Sequence, residues 1–137
     1  MKETVGKEVA EAEFERFAEA MDLDLDPDYM SQEDREGFEK HKRRVTREIM
    51  RGSLIVNDDG EAVYTPWKST TKHKDPITFH ERTGHTVSTM DQSKKSQQAR
   101  QTYGMMAEMC RVHPSIFSSM VGTDIKVCEA LFALLMD

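Results

Sequence analysis

The spacing of apolar residues changes twice along this chain, and this limits the folds that it can adopt. From residue 7 to 21, apolar residues recur at helical spacing. The segment SLIVNDDGEAVYT then alternates around Asp59-Gly60, a dipeptide typical of a tight hairpin turn. Helical spacing returns from about residue 91. Because two short hairpins are not stable alone, we expect helices to cover one face of a small sheet.

Local signals place the boundaries of these elements. Ser31 and Asp34 form an S-x-x-D pattern like a capping box, which predicts that a second helix begins there. Gly52 is predicted to end that helix. The residues on both sides of Arg82-Thr83-Gly84, Ile77 to His80 and His85 to Ser88, suggest a second hairpin.

The C-terminal third is predicted to be helical. One helix follows Asp91, a short one follows Pro114, and a last one begins at Thr123 or Asp124. The predicted fold class is α+β, with two N-terminal helices, a small antiparallel β section of hairpins and a helical C-terminal third. We predict a single domain over residues 1–137, divided into an acidic helical part (1–52), β hairpins (53–90) and C-terminal helices (91–137).

Charge divides the chain into an acidic first part and a weakly basic remainder. The net charge is −6, and residues 1–40 alone carry 14 acidic and 5 basic side chains. Basic residues then cluster at Lys42-Arg43-Arg44, Arg47 and Arg51. We interpret this cluster as the charge complement of the acidic segment and of the helix C-terminus, with a phosphate-binding patch as the alternative. Nucleic acid is not a predicted partner of so acidic a chain.

Hydropathy and cysteine content indicate the compartment. The chain has no run of about 18 apolar residues, so no membrane-spanning segment and no membrane partner are predicted. The start, MKETVGKEVAEAEF, lacks the apolar core of a signal peptide, and we therefore expect a cytoplasmic protein. Cys110 and Cys128 lie among apolar residues and are predicted to be buried, reduced thiols, with a disulfide or metal pair as the alternative.

The acidic stretch DLDLDPDYMSQE, from Asp22 to Glu33, is similar to a calcium-binding loop. It offers carboxylates at positions 1, 3, 5, 7 and 12 of such a loop. Pro27, however, occupies position 6, where the loop must turn with a positive φ that proline cannot adopt. We therefore predict an acidic hinge before the helix at Ser31 and no calcium site, with weak calcium binding as the alternative.

No sequence pattern in the chain predicts catalysis. HERTGH places His80 and His85 five residues apart across a turn, whereas zinc proteases need H-E-x-x-H on a helix. The patterns G-x-G-x-x-G, G-x-S-x-G and the phosphate loop do not occur. We predict no catalytic residue, no metal ligand and no cofactor, and therefore a protein that is not an enzyme.

Methionine is over-represented, with ten residues in the chain. Its flexible, polarisable side chain suits an adaptable binding groove as well as an irregular core. Core packing is one interpretation of the C-terminal methionines, and an exposed patch for a protein partner is the other. The predicted partner-binding residues are Met106, Met109, Ile116, Phe117, Met120, Phe132 and Leu135.

Three pieces of residues 60–137 resemble the tail assembly chaperones of long-tailed bacteriophages. They are the strand region leading to Pro66-Trp67, the segment ITFHERTGHTV and the ending MAEMCRVHPSIFSSMVGTDIKVCEALFALLMD. In that family a short strand segment precedes helices, and an aspartate, here Asp124, begins a final apolar helix. The resemblance implies a non-enzymatic protein of the host cell cytoplasm. Such a protein coats the tape measure protein, keeps it soluble and hands it over to the tail tube protein.

Two further functions are compatible with the residues. The protein can be a structural subunit of the virion, such as a connector or tail component. It can also be an acidic inhibitor of a host nucleic-acid-binding protein, with residues 1–40 mimicking phosphate charge. The sequence leaves open whether the chain forms a homo-oligomer.

Overall fold

The described part of the chain folds as helices around a small antiparallel sheet. The computed structural model describes residues 5–23, 28, 31–68, 75–81 and 98–136. These ranges contain, in order, α1 (Lys7–Ala20), α2 (Gln32–Arg51), β1 (Leu54–Val56), β2 (Ala62–Tyr64), β3 (Ile77–Phe79), α3 (Gln98–Cys110), α4 (Ser115–Ser118) and α5 (Thr123–Met136). The predicted α+β layout is confirmed.

Helix α1 ends in a left-handed turn that satisfies its last carbonyl groups. Asp22 has a φ of 56°, and its N–H donates to the carbonyl of Glu19 at 3.2 Å. The N–H of Leu23 donates to the carbonyl of Ala18 at 2.9 Å. This pair of hydrogen bonds is a Schellman motif, in which aspartate takes the position that glycine usually occupies.

Helix α2 begins and ends at the predicted residues. The Ser31 hydroxyl accepts a hydrogen bond from the N–H of Asp34 at 3.1 Å and so caps the first turn. Gly52 follows the last turn with a φ of 84°, and its N–H donates to the carbonyl of Ile49. The apolar stripe of α2, including Val45 and Ile49, is buried.

The three strands form a meander in the order β1-β2-β3, antiparallel throughout. Leu54 pairs with Tyr64 in the predicted hairpin, and Tyr64 pairs in turn with Ile77. Burial alternates along each strand, so one face of the sheet is covered while Ile55 points to solvent on the other. The predicted partner of β3, residues 85–88, lies outside the described ranges.

The hydrophobic core contains residues from all the helices and from the sheet of the described ranges. Helix α2 packs against both α1 and α5. It runs antiparallel to α5, because its first turns lie beside Ala133 and Leu134 and its last turns lie beside Thr123. Buried apolar residues from α1, α2, the sheet, α3, α4 and α5 form one cluster. This continuity is what a single hydrophobic core requires.

Candidate functional site

Asp124 forms a buried junction between the end of the hairpin and the start of α5. Its side chain has no solvent exposure. The carboxylate accepts hydrogen bonds from the Tyr64 hydroxyl at 2.6 Å, from the Trp67 N–H at 3.1 Å and from the Lys68 N–H at 3.0 Å. A buried carboxylate is stable only when donors surround it in this way. The junction therefore fixes the chain after β2 against the first turn of α5.

A second buried carboxylate, that of Glu48 on α2, lies at the other side of Trp67. It accepts hydrogen bonds from the Ser53 hydroxyl at 2.5 Å and from the Trp67 indole N–H at 3.1 Å. Arg51 pairs with it at 2.8 Å, and the Arg51 guanidinium lies 5.5 Å from the centre of the Trp67 ring. Trp67 thus bridges the two carboxylates, through its backbone to Asp124 and through its indole to Glu48.

Tyr64 acts as a fixed donor in this network. Burial raises the pKa of Tyr64, and the hydrogen bond to the Asp124 carboxylate raises it further. The phenol consequently stays protonated and keeps donating. The donors to Asp124 and Glu48 come from other elements of the fold. Their hydrogen bonds therefore connect β2, α2 and α5, which is a structural role.

The structure places six of the seven predicted partner-binding residues inside the core. Ile116 is half-buried, whereas the other six are at most 8% exposed. Their burial favours the core-packing interpretation over an exposed patch, and the binding of a partner by these residues stays a prediction. The Phe117 ring, for example, packs 6.5 Å from that of Phe79 on β3. A partner reaches these six side chains only if the surrounding elements separate. The six are Met106, Met109, Phe117, Met120, Phe132 and Leu135.

Cys110 and Cys128 are free and buried, as predicted. Burial raises the pKa of both thiols well above the ordinary value. The Cys128 Sγ atom lies 3.8 Å from the Met120 Sδ atom in the core. These thiols are packing groups rather than nucleophiles.

We predict that neither thiol reacts with a disulfide reagent in the folded protein. The reason is that a buried thiol with a raised pKa provides little thiolate for attack. A reaction followed by absorbance should be at least about a hundredfold slower in buffer than in strong denaturant, which exposes both groups. Rapid modification of either cysteine in buffer, located by peptide mass spectrometry, would contradict the burial.

The histidine of HERTGH that is described lies beside an acidic side chain. His80 Nδ1 is 2.5 Å from Glu61 Oε2. Burial raises the pKa of Glu61, but hydrogen bonds from His80 and Asn57 and the charges of His80 and Arg111 hold it below the ordinary value. His85 lies outside the described ranges. Within those ranges, no three His, Cys, Asp or Glu side chains converge as a metal site requires.

The acidic stretch from Asp22 to Glu33 is described only in part, since residues 24–27, 29 and 30 lie outside the described ranges. Two of its residues have a structural role. Asp22 is the left-handed residue that ends α1, and Ser31 is the cap of α2. These two roles agree with a joint between helices.

Sequence reasoning missed Glu48 and Tyr64, and a signal for Glu48 was present. Glu48 lies three residues after Val45 and directly before Ile49, so it falls on the inward side of the helix. A charged residue at such a position needs partners inside the protein. Tyr64 gave no comparable signal, because a tyrosine in a half-buried strand is common.

These features define an α+β protein whose hairpin is attached to its last helix by a buried carboxylate. Comparison of the chain with models of protein families, with curated proteins and with solved structures gives no match. None of the helices in the described ranges is both long and apolar enough to cross a membrane.

Proposed function

We propose that the protein is a non-enzymatic tail assembly chaperone that binds the tape measure protein and keeps it soluble for tail tube assembly. The observation that carries the proposal is the junction at Asp124. Two of the three pieces that resemble the chaperone family meet there, since the N–H of Trp67 donates to the carboxylate that opens α5. The element order, strands followed by helices with an aspartate at the start of the last one, is also the order that the resemblance implies.

The contact with the partner is proposed to involve the segment between α3 and α5. This segment is bounded by two residues with left-handed backbone, Arg111 with a φ of 59° and Gly122 with a φ of 57°. It contains only the four-residue helix α4. Because so short an element has few internal hydrogen bonds, the main cost of moving it away from the core is the exposure of its buried side chains, which a partner helix would cover again.

Movement of α4 would expose methionine and aromatic side chains to a partner helix. Phe117 and Met120 would leave the core with this segment, and Ile116 already reaches its surface. Flexible methionine side chains can then pack again around an apolar helix of the partner. The net charge of −6 favours the solubility of this chain.

Co-expression tests this proposal. Helical fragments of the tape measure protein from the same phage are expressed with and without this chain, and the soluble fraction is measured. We expect solubility to rise and the fragment to copurify. Ile116→Asp is expected to weaken copurification at least about fivefold, because a charge at an apolar contact is poorly solvated.

Ile55→Asp is the matched control, since Ile55 is 56% exposed on the opposite face of the sheet. It makes the same chemical change and should leave copurification intact. Failure of every helical segment to bind would refute the proposal. Mass spectrometry of purified virions separates it from the structural-subunit alternative, because a chaperone should be missing from the particle.

A further inference from the structure

An open cleft of about 270 Å³ lies between α2 and the start of α5. Most of the side chains that line it are cationic. We call it the basic cleft and define it by Lys40, Arg43, Arg44, Arg47, Glu48, Arg51 and Thr123. It lies outside the apolar core on which the proposed chaperone function depends.

The cations of the basic cleft share one face of α2 because of their spacing. Lys40, Arg43, Arg47 and Arg51 follow one another at intervals of three or four residues, and Arg44 lies beside Arg43. The stripe from residue 40 to 51 is about 16 Å long at the rise of an α-helix. It faces away from the buried stripe of Val45 and Ile49.

Four of these cations have no internal counterion in the part of the chain that is described. Arg51 pairs with Glu48. Lys40, Arg43, Arg44 and Arg47 form no ion pair or side-chain hydrogen bond there. The interpretation of this cluster as a charge complement of the acidic segment therefore finds no supporting ion pair among the described residues.

The cations of this stripe repel one another. Lys40 and Arg44, as well as Arg43 and Arg47, are like charges one helical turn apart, and such pairs destabilise a helix. A ligand with several linked negative charges would convert this repulsion into attraction. Guanidinium groups bind both carboxylate and phosphate in bidentate fashion, but linked phosphates place several charges within a short distance, so they suit a row of cations better than single carboxylates do.

We propose that the basic cleft binds linked phosphate groups, such as those of a polyphosphate or of a phosphodiester chain. The negative charge of the whole chain disfavours general binding of polyanions, but it does not neutralise this local site. Phosphate binding is independent of the chaperone function, because that function uses apolar side chains of the core and the basic cleft uses cationic side chains of α2.

Trp67 provides a built-in reporter for the test. It is the single tryptophan of the chain, and its indole contacts both Glu48 and Arg51 of the cleft lining. A ligand that draws Arg51 toward itself changes the surroundings of the ring. Titration of the protein with inorganic tripolyphosphate, and separately with a short single-stranded oligothymidine, is therefore followed by Trp67 fluorescence at low ionic strength.

Arg43→Gln/Arg47→Gln is the test variant, and Lys42→Gln/Lys126→Gln is the control with the same loss of charge. Lys42 lies over the Phe14 ring, and Lys126 is exposed on α5, so neither lines the cleft. We expect the test variant to bind at least about tenfold more weakly and the control to bind within about twofold of the original chain. Circular dichroism verifies that both variants are folded.

The two probes distinguish the source of the phosphate. Binding of tripolyphosphate alone supports a small polyphosphate ligand, and tighter binding of oligothymidine, with a steep dependence on salt, supports a phosphodiester chain. Equal weakening in the test and control variants would overturn the proposal, because net charge would then explain the binding. Failure of both probes to bind the original chain, or equally tight binding of polyglutamate, would overturn it as well.

Discussion

Replacing Asp124 by alanine should lower the free energy of unfolding by about 3–5 kcal/mol, since the change removes a buried charged acceptor and leaves its donors behind. The Tyr64 hydroxyl and the N–H groups of Trp67 and Lys68 lose the carboxylate to which they donate. Urea denaturation followed by far-ultraviolet circular dichroism measures the loss.

Two variants make the Asp124 prediction specific. Asp124→Asn keeps the shape and one acceptor oxygen. It should lower the free energy of unfolding, but by less than Asp124→Ala does. Asp58→Ala removes the same charge from an exposed turn position and should change stability by less than about 0.5 kcal/mol. A loss below about 1 kcal/mol for Asp124→Ala would mean that the junction does not hold the hairpin against α5.

The local part of the fold could be predicted because neighbouring residues specify it. The boundaries of α2 depend on Ser31 and Gly52, and the first hairpin depends on the turn around Asp59-Gly60, all of which act within a few residues. Helix α5 was likewise predicted from its apolar stripe and from Asp124 at its start. These signals require no knowledge of the tertiary structure.

The candidate site could not be predicted in the same way, because it depends on contacts distant in sequence. Tyr64 and Asp124 are separated by 60 positions, and Trp67 and Glu48 by 19. Whether a methionine is exposed also depends on contacts with residues distant in sequence. Periodicity places Met106 and Phe117 on apolar faces, but only packing decides whether another element covers those faces. Here β3 packs against α3, and Phe79 on β3 packs against Phe117.

Gly60→Ala is expected to be the other strongly destabilising substitution, at about 2–5 kcal/mol. Gly60 has a φ of 82°, which an L-residue with a β-carbon adopts only with strain. An added Cβ would also overlap the Cβ atom of Ala20 at the end of α1, so the hairpin turn and α1 would have to move apart. Urea denaturation of the single variant gives the total effect.

A double-mutant cycle separates the two causes. Ala20→Gly removes the atom that the new methyl group meets, so Gly60→Ala should cost at least about 1 kcal/mol less in that background. The cost that persists then measures the backbone strain of the turn. Gly37→Ala is the control, because no atom lies within 4 Å of its added Cβ and it is in a helix. That change should stabilise the protein by about 0.5–1 kcal/mol. If Ala20→Gly gives no relief, the hairpin turn does not pack on α1 as described.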